Sequence, residues 1–117
     1  MKKLLTSAAL ATLCMGNAAH AEGLNIVFTH HSSASNTFWQ AVQKGFDDAC
    51  EKIAANCQMV FTQTEGSIEQ QAANMEAALA RSPDVLLTSI VDDRALDEII
   101  QRARDAGVIV IAVNVDD

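Results

Sequence analysis

Short apolar runs alternate along this chain with segments whose apolar residues recur every three or four positions. The apolar runs predict β-strands at residues 24–29, 58–62, 85–88 and 108–113. The intervening segments predict three helices. Their predicted apolar faces are Phe38, Val42, Phe46, Ala49 and Ile53, then Ile68, Ala72, Met75 and Leu79, then Leu96, Ile99, Ile100 and Ala103.

Helix boundary signals agree with this order of elements. Ser67 followed by Gln70 fits a capping box at the start of the second helix. Asp92 or Asp93 can cap the third helix, and Gly107 stands where a left-handed C-terminal cap belongs. The predicted order is therefore β-α-β-α-β-α-β.

This order predicts an α/β fold built on a doubly wound parallel sheet. Strands that are apolar at nearly every position are typical of parallel sheets covered by helices on both faces. Right-handed crossovers around a central first strand give the strand order 2-1-3-4. Ligands of such sheets bind beyond the carboxyl ends of the strands, where the winding reverses. Loops at residues 30–37, 89–93 and 114–117 are expected to meet there.

The first 21 residues have the organisation of an export signal. Lys2 and Lys3 precede a mostly apolar run at residues 4–15, which is too short to cross a bilayer. Ala19 and Ala21 are small residues at the −3 and −1 positions of a cleavage site. Residues 1–21 are therefore predicted to be a signal peptide and residues 22–117 a single periplasmic domain. Processing as a lipoprotein, with cleavage before Cys14, is disfavoured because the preceding Leu13 is bulky where a small residue is needed.

Charge and missing motifs narrow the function. Residues 22–117 carry six basic and 15 acidic side chains, a net charge of −9. That balance argues against nucleic acid and against anionic membrane surfaces as partners. No glycine-rich phosphate loop, Walker-type lysine or Gly-x-Ser-x-Gly elbow is present. No cofactor is therefore predicted.

Two cysteines remain in the predicted mature chain, at Cys50 and Cys57. Cys50 lies late in the first helix and Cys57 at the start of the second strand, so a turn could bring them together. An oxidising compartment permits a disulfide between them, and the alternative is two buried apolar thiols. A Cys-x6-Cys pair without further ligands is weak evidence for zinc.

Several polar residues fall in the predicted site loops. His30, His31, Ser89 and Asp92 are candidate ligand-binding groups, although each can also serve as an ordinary loop or capping residue. The adjacent histidines point to opposite sides of an extended segment, so they are poorly placed to chelate one metal ion. A third ligand would have to come from a neighbouring loop, at Asp92 or Asp116, and no metal site is predicted.

Phe38 and Trp39 stand at the predicted start of the first helix. Aromatic rings there could stack on the C–H faces of a sugar, whereas the alternative is that Phe38 packs in the core and Trp39 staples the helix start. Asn114 ends the fourth strand, where an amide could both donate to a ligand and accept from it. Its alternative role is a cap or turn.

Three segments resemble the periplasmic sugar-binding proteins of ABC transporters, of the ribose-binding type. These segments are residues 36–45 (NTFWQAVQKG), 82–87 (SPDVLL) and 106–114 (AGVIVIAVN). The resemblance implies that Phe38 and Trp39 stack on a sugar, that Asn114 binds its hydroxyls, and that Asn36 is a polar neighbour. The chain differs from the family after the fourth strand, where members often carry an Asp-Arg pair that this chain lacks.

The resemblance implies the N-terminal lobe of a longer, two-lobed protein. The expected function is binding of a sugar or polyol for an ABC importer, with an inner-membrane permease as partner and no catalysis. One alternative is an exported α/β hydrolase or isomerase using His30 or His31 with Asp92. Another is a periplasmic sugar-sensing receptor domain.

Overall fold

The computed structural model describes residues 23–114 and contains four strands and three helices in that range. The elements are β1 Asn25–Ser33, α1 Thr37–Lys52, β2 Asn56–Thr62, α2 Ile68–Leu79, β3 Val85–Thr88, α3 Asp93–Asp105 and β4 Ile109–Ala112. All pairings are parallel and the strand order is β2-β1-β3-β4. The predicted fold class and strand order are confirmed. The predicted signal peptide and Asp116 lie outside the described residues.

The helix ends follow the predicted capping residues. Ser67 Oγ accepts from the Gln70 amide at 3.3 Å, and Asp92 Oδ1 accepts from the Ala95 amide at 3.1 Å. Gly107 has a φ of 84°, a left-handed conformation that costs glycine little. Gln70 departs from the capping box, because its Oε1 accepts from the amides of Gln63 and Thr64 instead.

One side of the sheet, here called the aliphatic face, is covered by α2 and α3. Val27, Leu86 and Val110 lie side by side in register on it. The predicted faces of α2 and α3 pack against this side, since Met75, Leu96, Ile99 and Ala103 are buried. The main apolar core of the described residues lies here: Val27, Met75, Ala78, Leu86, Leu96, Ile99, Ala103 and Val108.

The opposite side, here called the aromatic face, is covered by α1. Phe28 lies edge-on to Trp39 and to Phe46, with ring centroids 5.8 and 5.7 Å apart. Cys50 on α1 and Cys57 on β2 are joined by a disulfide, with their Cα atoms 6.2 Å apart. This bond ties the end of α1 to the sheet.

The predicted inner face of α1 is right at its centre, where Phe46 packs on Phe28, and wrong at both ends. Trp39 and Cys50 are the buried residues of α1, whereas Phe38, Ala49 and Ile53 are exposed. Both sets have helical spacing in the sequence, so spacing alone could not choose between them. The disulfide and the packing of Trp39 on β1 select the observed face.

Strand β1 is longer than predicted, and residues 30–33 belong to it rather than to a site loop. β1 runs to Ser33 and pairs with β2 at Thr62, after an irregularity in register beyond Thr29. His30 and Ser32 are buried within this extension. The polar sequence of residues 30–33 predicts a loop, whereas His30 is buried against Trp39 of α1.

The fourth strand is also less covered than its apolar sequence predicts. Ile109 and Ile111 are 60% and 45% exposed. Register places them on the aromatic face, in line with Val85 and Leu87. Helix α1 covers the other end of that face, over β1 and β2. No helix in residues 23–114 is long and apolar enough to cross a membrane.

Candidate functional site

The candidate site lies at the carboxyl edge of the sheet, between β1 and β3. The chain leaves β1 toward α1 on the aromatic face and leaves β3 toward α3 on the aliphatic face. This is the point at which the winding reverses, where parallel sheets of this type bind ligands. The loops that form it are residues 34–36 after β1 and 89–92 after β3.

Asn36 holds the start of α1 with its side chain. Its Oδ1 accepts from the backbone amides of Phe38 at 3.1 Å and Trp39 at 3.4 Å. Its Nδ2 donates to Glu65 Oε1 at 2.8 Å. Both ends of the amide are therefore engaged within the protein, so Asn36 supports the site rather than offering a free partner to a ligand.

Glu65 follows β2 and was missed by the sequence analysis. Its Oε2 accepts from the Ser33 amide at 2.7 Å and from Ser33 Oγ at 2.9 Å. These bonds and the one from Asn36 lower the pKa of Glu65 to about 2, against the opposing effect of desolvation. An acidic residue just before Gly66, after a strand that ends at this edge, is the signal that could have found it.

Phe38 and Trp39 have opposite environments, although they are adjacent. Trp39 is 3% exposed and its ring stacks on the His30 ring, 4.2 Å between centroids and 9° between planes. Phe38 is 54% exposed, with its ring edge-on to Trp39 at 5.3 Å. Phe38 can therefore meet a ligand, and Trp39 forms the support behind it.

His30 is a buried member of the aromatic face. Its Nδ1 accepts from the Ser32 amide at 3.2 Å, and its ring is edge-on to Phe61 at 4.7 Å. Burial lowers the pKa of His30 from 6.5 to about 4, with a smaller lowering from His31 and an opposing effect from Glu65. The predicted placement of His30 in a ligand-facing loop is not observed.

A polar network links β1, β3 and α2 on the other side of the edge. His31 Nδ1 lies 3.0 Å from Ser89 Oγ, and Thr29 Oγ1 donates to Thr88 Oγ1 at 3.2 Å. Gln71 Nε2 donates to Thr88 Oγ1 at 3.0 Å and to the Ser89 carbonyl at 2.7 Å. The sequence analysis missed Gln71, although it continues the spacing of Ile68, Met75 and Ala78 along α2.

Asp92 and Asn114 have conformational roles in the structure. Asp92 is the N-cap of α3, the alternative already considered for it. Asn114 is exposed directly after β4, with a φ of 73° that asparagine tolerates better than most residues. Its amide is therefore accessible at the carboxyl edge.

The structure brings together His31 with Ser89, and Asn36 with Phe38 and Trp39. It does not assemble His30 with Asp92, since His30 is stacked on Trp39 and the Asp92 carboxylate caps α3. Within residues 23–114, no three His, Cys, Asp or Glu side chains are grouped to hold a metal ion. The chemistry that this edge supports is aromatic contact and hydrogen bonding.

A hollow of about 670 Å³ lies at the opposite edge of the sheet, lined in part by Leu24, Leu79, Pro83 and Ile109. An exposed ion pair between Arg102 and Glu76 borders it. The carboxyl edge remains the better candidate site. Its loops converge where the winding reverses, whereas the hollow faces the amino ends of the strands.

Comparison with known proteins places the chain in a family. Residues 26–117 match the family model described as a periplasmic binding protein domain. An ABC transporter periplasmic-binding protein of Escherichia coli (strain K12) is 26% identical over 77 residues, covering 66% of this chain and 24% of the relative. A xylose/arabinose-binding protein of Sulfolobus acidocaldarius is 33% identical over 90 residues, covering 76% and 22%.

Solved structures have the same fold. A periplasmic sugar-binding protein of an ABC sugar transporter from Legionella pneumophila superposes with a TM-score of 0.76 at 26% identity, covering 80% of this chain and 34% of that one. An ABC transporter solute-binding protein from Agrobacterium vitis with bound allitol gives a TM-score of 0.66 at 20% identity, covering 80% and 31%. The chain spans about a quarter of the length of the curated relatives it matches. The chain belongs to the periplasmic binding protein family, whose members found here include ABC transporter sugar-binding proteins.

Proposed function

We propose that residues 22–117 form the N-terminal lobe of an exported solute-binding protein that delivers a sugar or polyol to an ABC importer. The observation that carries the proposal is the exposed ring of Phe38 at the carboxyl edge, supported from behind by the Trp39–His30 stack. Family membership supports solute binding.

The chemistry of the edge favours a neutral, hydroxylated solute. An exposed aromatic ring can cover the C–H face of a sugar, while hydroxyl and amide groups satisfy its polar edge. His31 near the end of β1 and Asn114 after β4 supply an imidazole and an amide, and the buried Ser89 Oγ lies 3.0 Å from His31 Nδ1 behind them. The relatives include a xylose/arabinose-binding protein and one solved with allitol, which supports sugars and polyols as the class to test.

The family and the predicted signal support a periplasmic location and an inner-membrane permease as partner. We expect cleavage after Ala21, a mature chain that begins at Glu22 in the periplasm, and recognition of the solute-bound protein by an inner-membrane permease. No covalent step is expected of the chain, so it is not an enzyme in this proposal. N-terminal sequencing of exported protein tests the cleavage site, and a lipid-modified start at Cys14 would contradict it.

The test of solute binding compares two substitutions of Phe38. The complete protein is titrated by calorimetry with D-xylose, L-arabinose, D-allose and allitol, and the same titrations are made on Phe38→Ala and Phe38→Leu. Loss of an aromatic anchor should weaken binding by about 2 kcal/mol, roughly 30-fold. Phe38→Leu keeps an apolar side chain and separates the aromatic contact from general burial.

Equal affinities in wild type, Phe38→Ala and Phe38→Leu would contradict the site. A single lobe provides one wall, whereas small-molecule sites bury about 70–90% of a ligand's surface. The 117-residue chain is therefore expected to bind each sugar more weakly than about 1 mM. Micromolar binding by that chain alone would contradict the need for a second lobe, and the DNA that follows codon 117 would show whether one is encoded.

A further inference from the structure

We propose that Glu65 is a positioning residue of the solute site, which holds the loop between β1 and α1 in the conformation that presents Phe38. This inference rests on the proposed function of that edge. Glu65 comes from the loop between β2 and α2, so it braces the site from a neighbouring crossover.

The contacts of Glu65 are concentrated on the β1–α1 loop. One carboxylate oxygen accepts from both the amide and the hydroxyl of Ser33, at 2.7 and 2.9 Å. The other accepts from Asn36 Nδ2 at 2.8 Å. The carboxylate therefore bridges the first and last residues of a four-residue segment, Ser33 to Asn36, and holds its ends in a defined separation.

The effect of Glu65 reaches Phe38 through Asn36. The amide of Asn36 must present Oδ1 to the amides of Phe38 and Trp39 in order to cap α1. A carboxylate accepts only, so Glu65 fixes the opposite end of the amide as the donor and leaves Oδ1 toward the helix. The first turn of α1, which carries Phe38, is held in this way.

Further hydrogen bonds hold the same loop in place. The Gly66 amide donates to the His31 carbonyl at 2.8 Å, next to Glu65. Gln40 Nε2 donates to the Ala34 carbonyl at 2.7 Å, and Ser33 Oγ lies 2.9 Å from Ser35 Oγ. Glu65 supplies the negative charge of the arrangement, and hydrogen bonds to an ionised acceptor are stronger than neutral ones.

The decisive experiment needs no solute. Hydrogen exchange of residues 33–39 and acrylamide quenching of Trp39 are measured on the full 117-residue chain as wild type, Glu65→Gln and Glu65→Ala. Glu65→Gln keeps the size of the side chain but turns an NH₂ group toward one of the donors. The matched control is Glu69→Gln, because Glu69 is exposed in the first turn of α2 and its carboxylate makes no hydrogen bond within residues 23–114.

We expect at least tenfold faster exchange in residues 33–39 and greater quenching of Trp39 in both Glu65 variants, with Glu69→Gln unchanged. Exchange in the β3 core should stay at the wild-type level, which shows that the variants remain folded. Loop exchange in Glu65→Gln and Glu65→Ala that matches the wild type would overturn the proposal.

The pH profile separates a carboxylate role from a merely structural one. Because the pKa of Glu65 is lowered to about 2, its hold on the loop is complete above pH 4.5 and is lost as the pH falls toward 2. His30 also protonates near pH 4 in both proteins and weakens the same face, so loop protection should decline over that interval in Glu65→Gln as well, but less than in wild type. Equal declines in the two proteins would assign the effect to His30 and overturn the proposal.

Solute affinity in the complete protein then connects the loop to binding. Glu65→Gln should lower about tenfold the affinity for any of the four solutes named above that the wild type binds. A loosened loop with unchanged affinity would overturn the positioning role. If wild type binds none of the four solutes, the proposed function fails, while loop exchange still decides whether Glu65 holds the loop.

Discussion

The two faces of the sheet are both covered by helices, but the side chains that pack beneath those helices differ in kind. The aliphatic face buries Val27 and Leu86 beneath two helices, α2 and α3. Among residues 23–114 the aromatic face has one helix, α1, and is held by ring contacts around Phe28 and by the Cys50–Cys57 disulfide. Ile109 and Ile111 on that face stay largely exposed.

The residues that stabilise the fold and those proposed to contact a solute therefore lie mostly on different faces of the sheet. Close-packed aliphatic side chains under two helices supply a core that tolerates little change. The aromatic face instead places rings near the carboxyl edge, where Phe38 is exposed and Trp39 is buried. Polar groups are retained within that face, including His30, and they give it a sensitivity to pH that the aliphatic face lacks.

The largest effect is expected from substitution in the aliphatic core. Leu86 is fully buried, so Leu86→Ala should lower the free energy of unfolding by about 3–4 kcal/mol through lost burial and a residual cavity. Leu87→Ala is the matched control on the same strand, since Leu87 faces the other side and is partly exposed. Urea denaturation measures both, and equal losses would contradict the contrast between the faces.

Acid should weaken the aromatic face through His30. Its pKa is lowered from 6.5 to about 4 by burial and by His31, partly opposed by Glu65. Above pH 6.5 both folded and unfolded chains are neutral at this residue and its stability contribution is complete. Between pH 6.5 and about 4 the unfolded chain binds a proton that the folded chain does not, so stability falls by roughly 3 kcal/mol.

The comparison of wild type with His30→Phe isolates this contribution, because the variant keeps every other titratable side chain. Urea denaturation at pH 7.5, 6, 5 and 4 should show the difference between the two shrinking or reversing toward acid. His31→Gln serves as the control and should keep most of the dependence on pH. A difference that stays constant over this range would contradict a buried neutral His30.

Removing the disulfide should have the next largest effect. The bond closes a short loop, with a sequence separation of 7 between the cysteines. Chain entropy for a loop of this size corresponds to about 2.5 kcal/mol, and this should be lost in the double variant Cys50→Ala/Cys57→Ala. Thermal unfolding of the oxidised protein and of the double variant measures it. Free thiols in native protein, detected by alkylation and mass spectrometry, would contradict the bond.

The smallest effect on stability is expected at the exposed end of the aromatic face. Ile109→Thr and Ile111→Thr should each change the free energy of unfolding by under about 0.5 kcal/mol, because both side chains are largely exposed. The same variants should lower any self-association of the chain, since an apolar edge strand favours pairing with another copy. Sedimentation velocity at several concentrations checks this, and unchanged association would place the contact elsewhere.

Much of the fold was predictable because local signals agreed with one another. Gly107, Ser67 and Asp92 mark helix ends through their own backbone and side-chain chemistry, and the structure has them in those roles. The apolar runs predict a parallel sheet, because strands of parallel sheets are typically covered on both faces over most of their length. The candidate site was less predictable, since its residues come from loops that meet only in the folded chain.

The errors have a common physical origin. The polar sequence predicts a loop at residues 30–33, yet His30 is buried against Trp39 and Phe61. Two overlapping apolar stripes on α1 have helical spacing, and contacts with β1 decide which of them is buried. Glu65 and Asn36 lie 29 residues apart, so no local pattern indicates their hydrogen bond.

The amino-acid sequence by itself determined the order of elements, the parallel sheet with its strand order, most helix ends and the family resemblance. These depend on local propensity and on the periodicity of apolar residues, both of which can be read from short segments of the sequence. Only the tertiary structure decided that Phe38 is exposed while Trp39 is buried, that Asn36 is held by Glu65, and that β4 is half uncovered. Each of these depends on which distant segment packs against a residue, and the neighbouring residues in the sequence do not determine that packing.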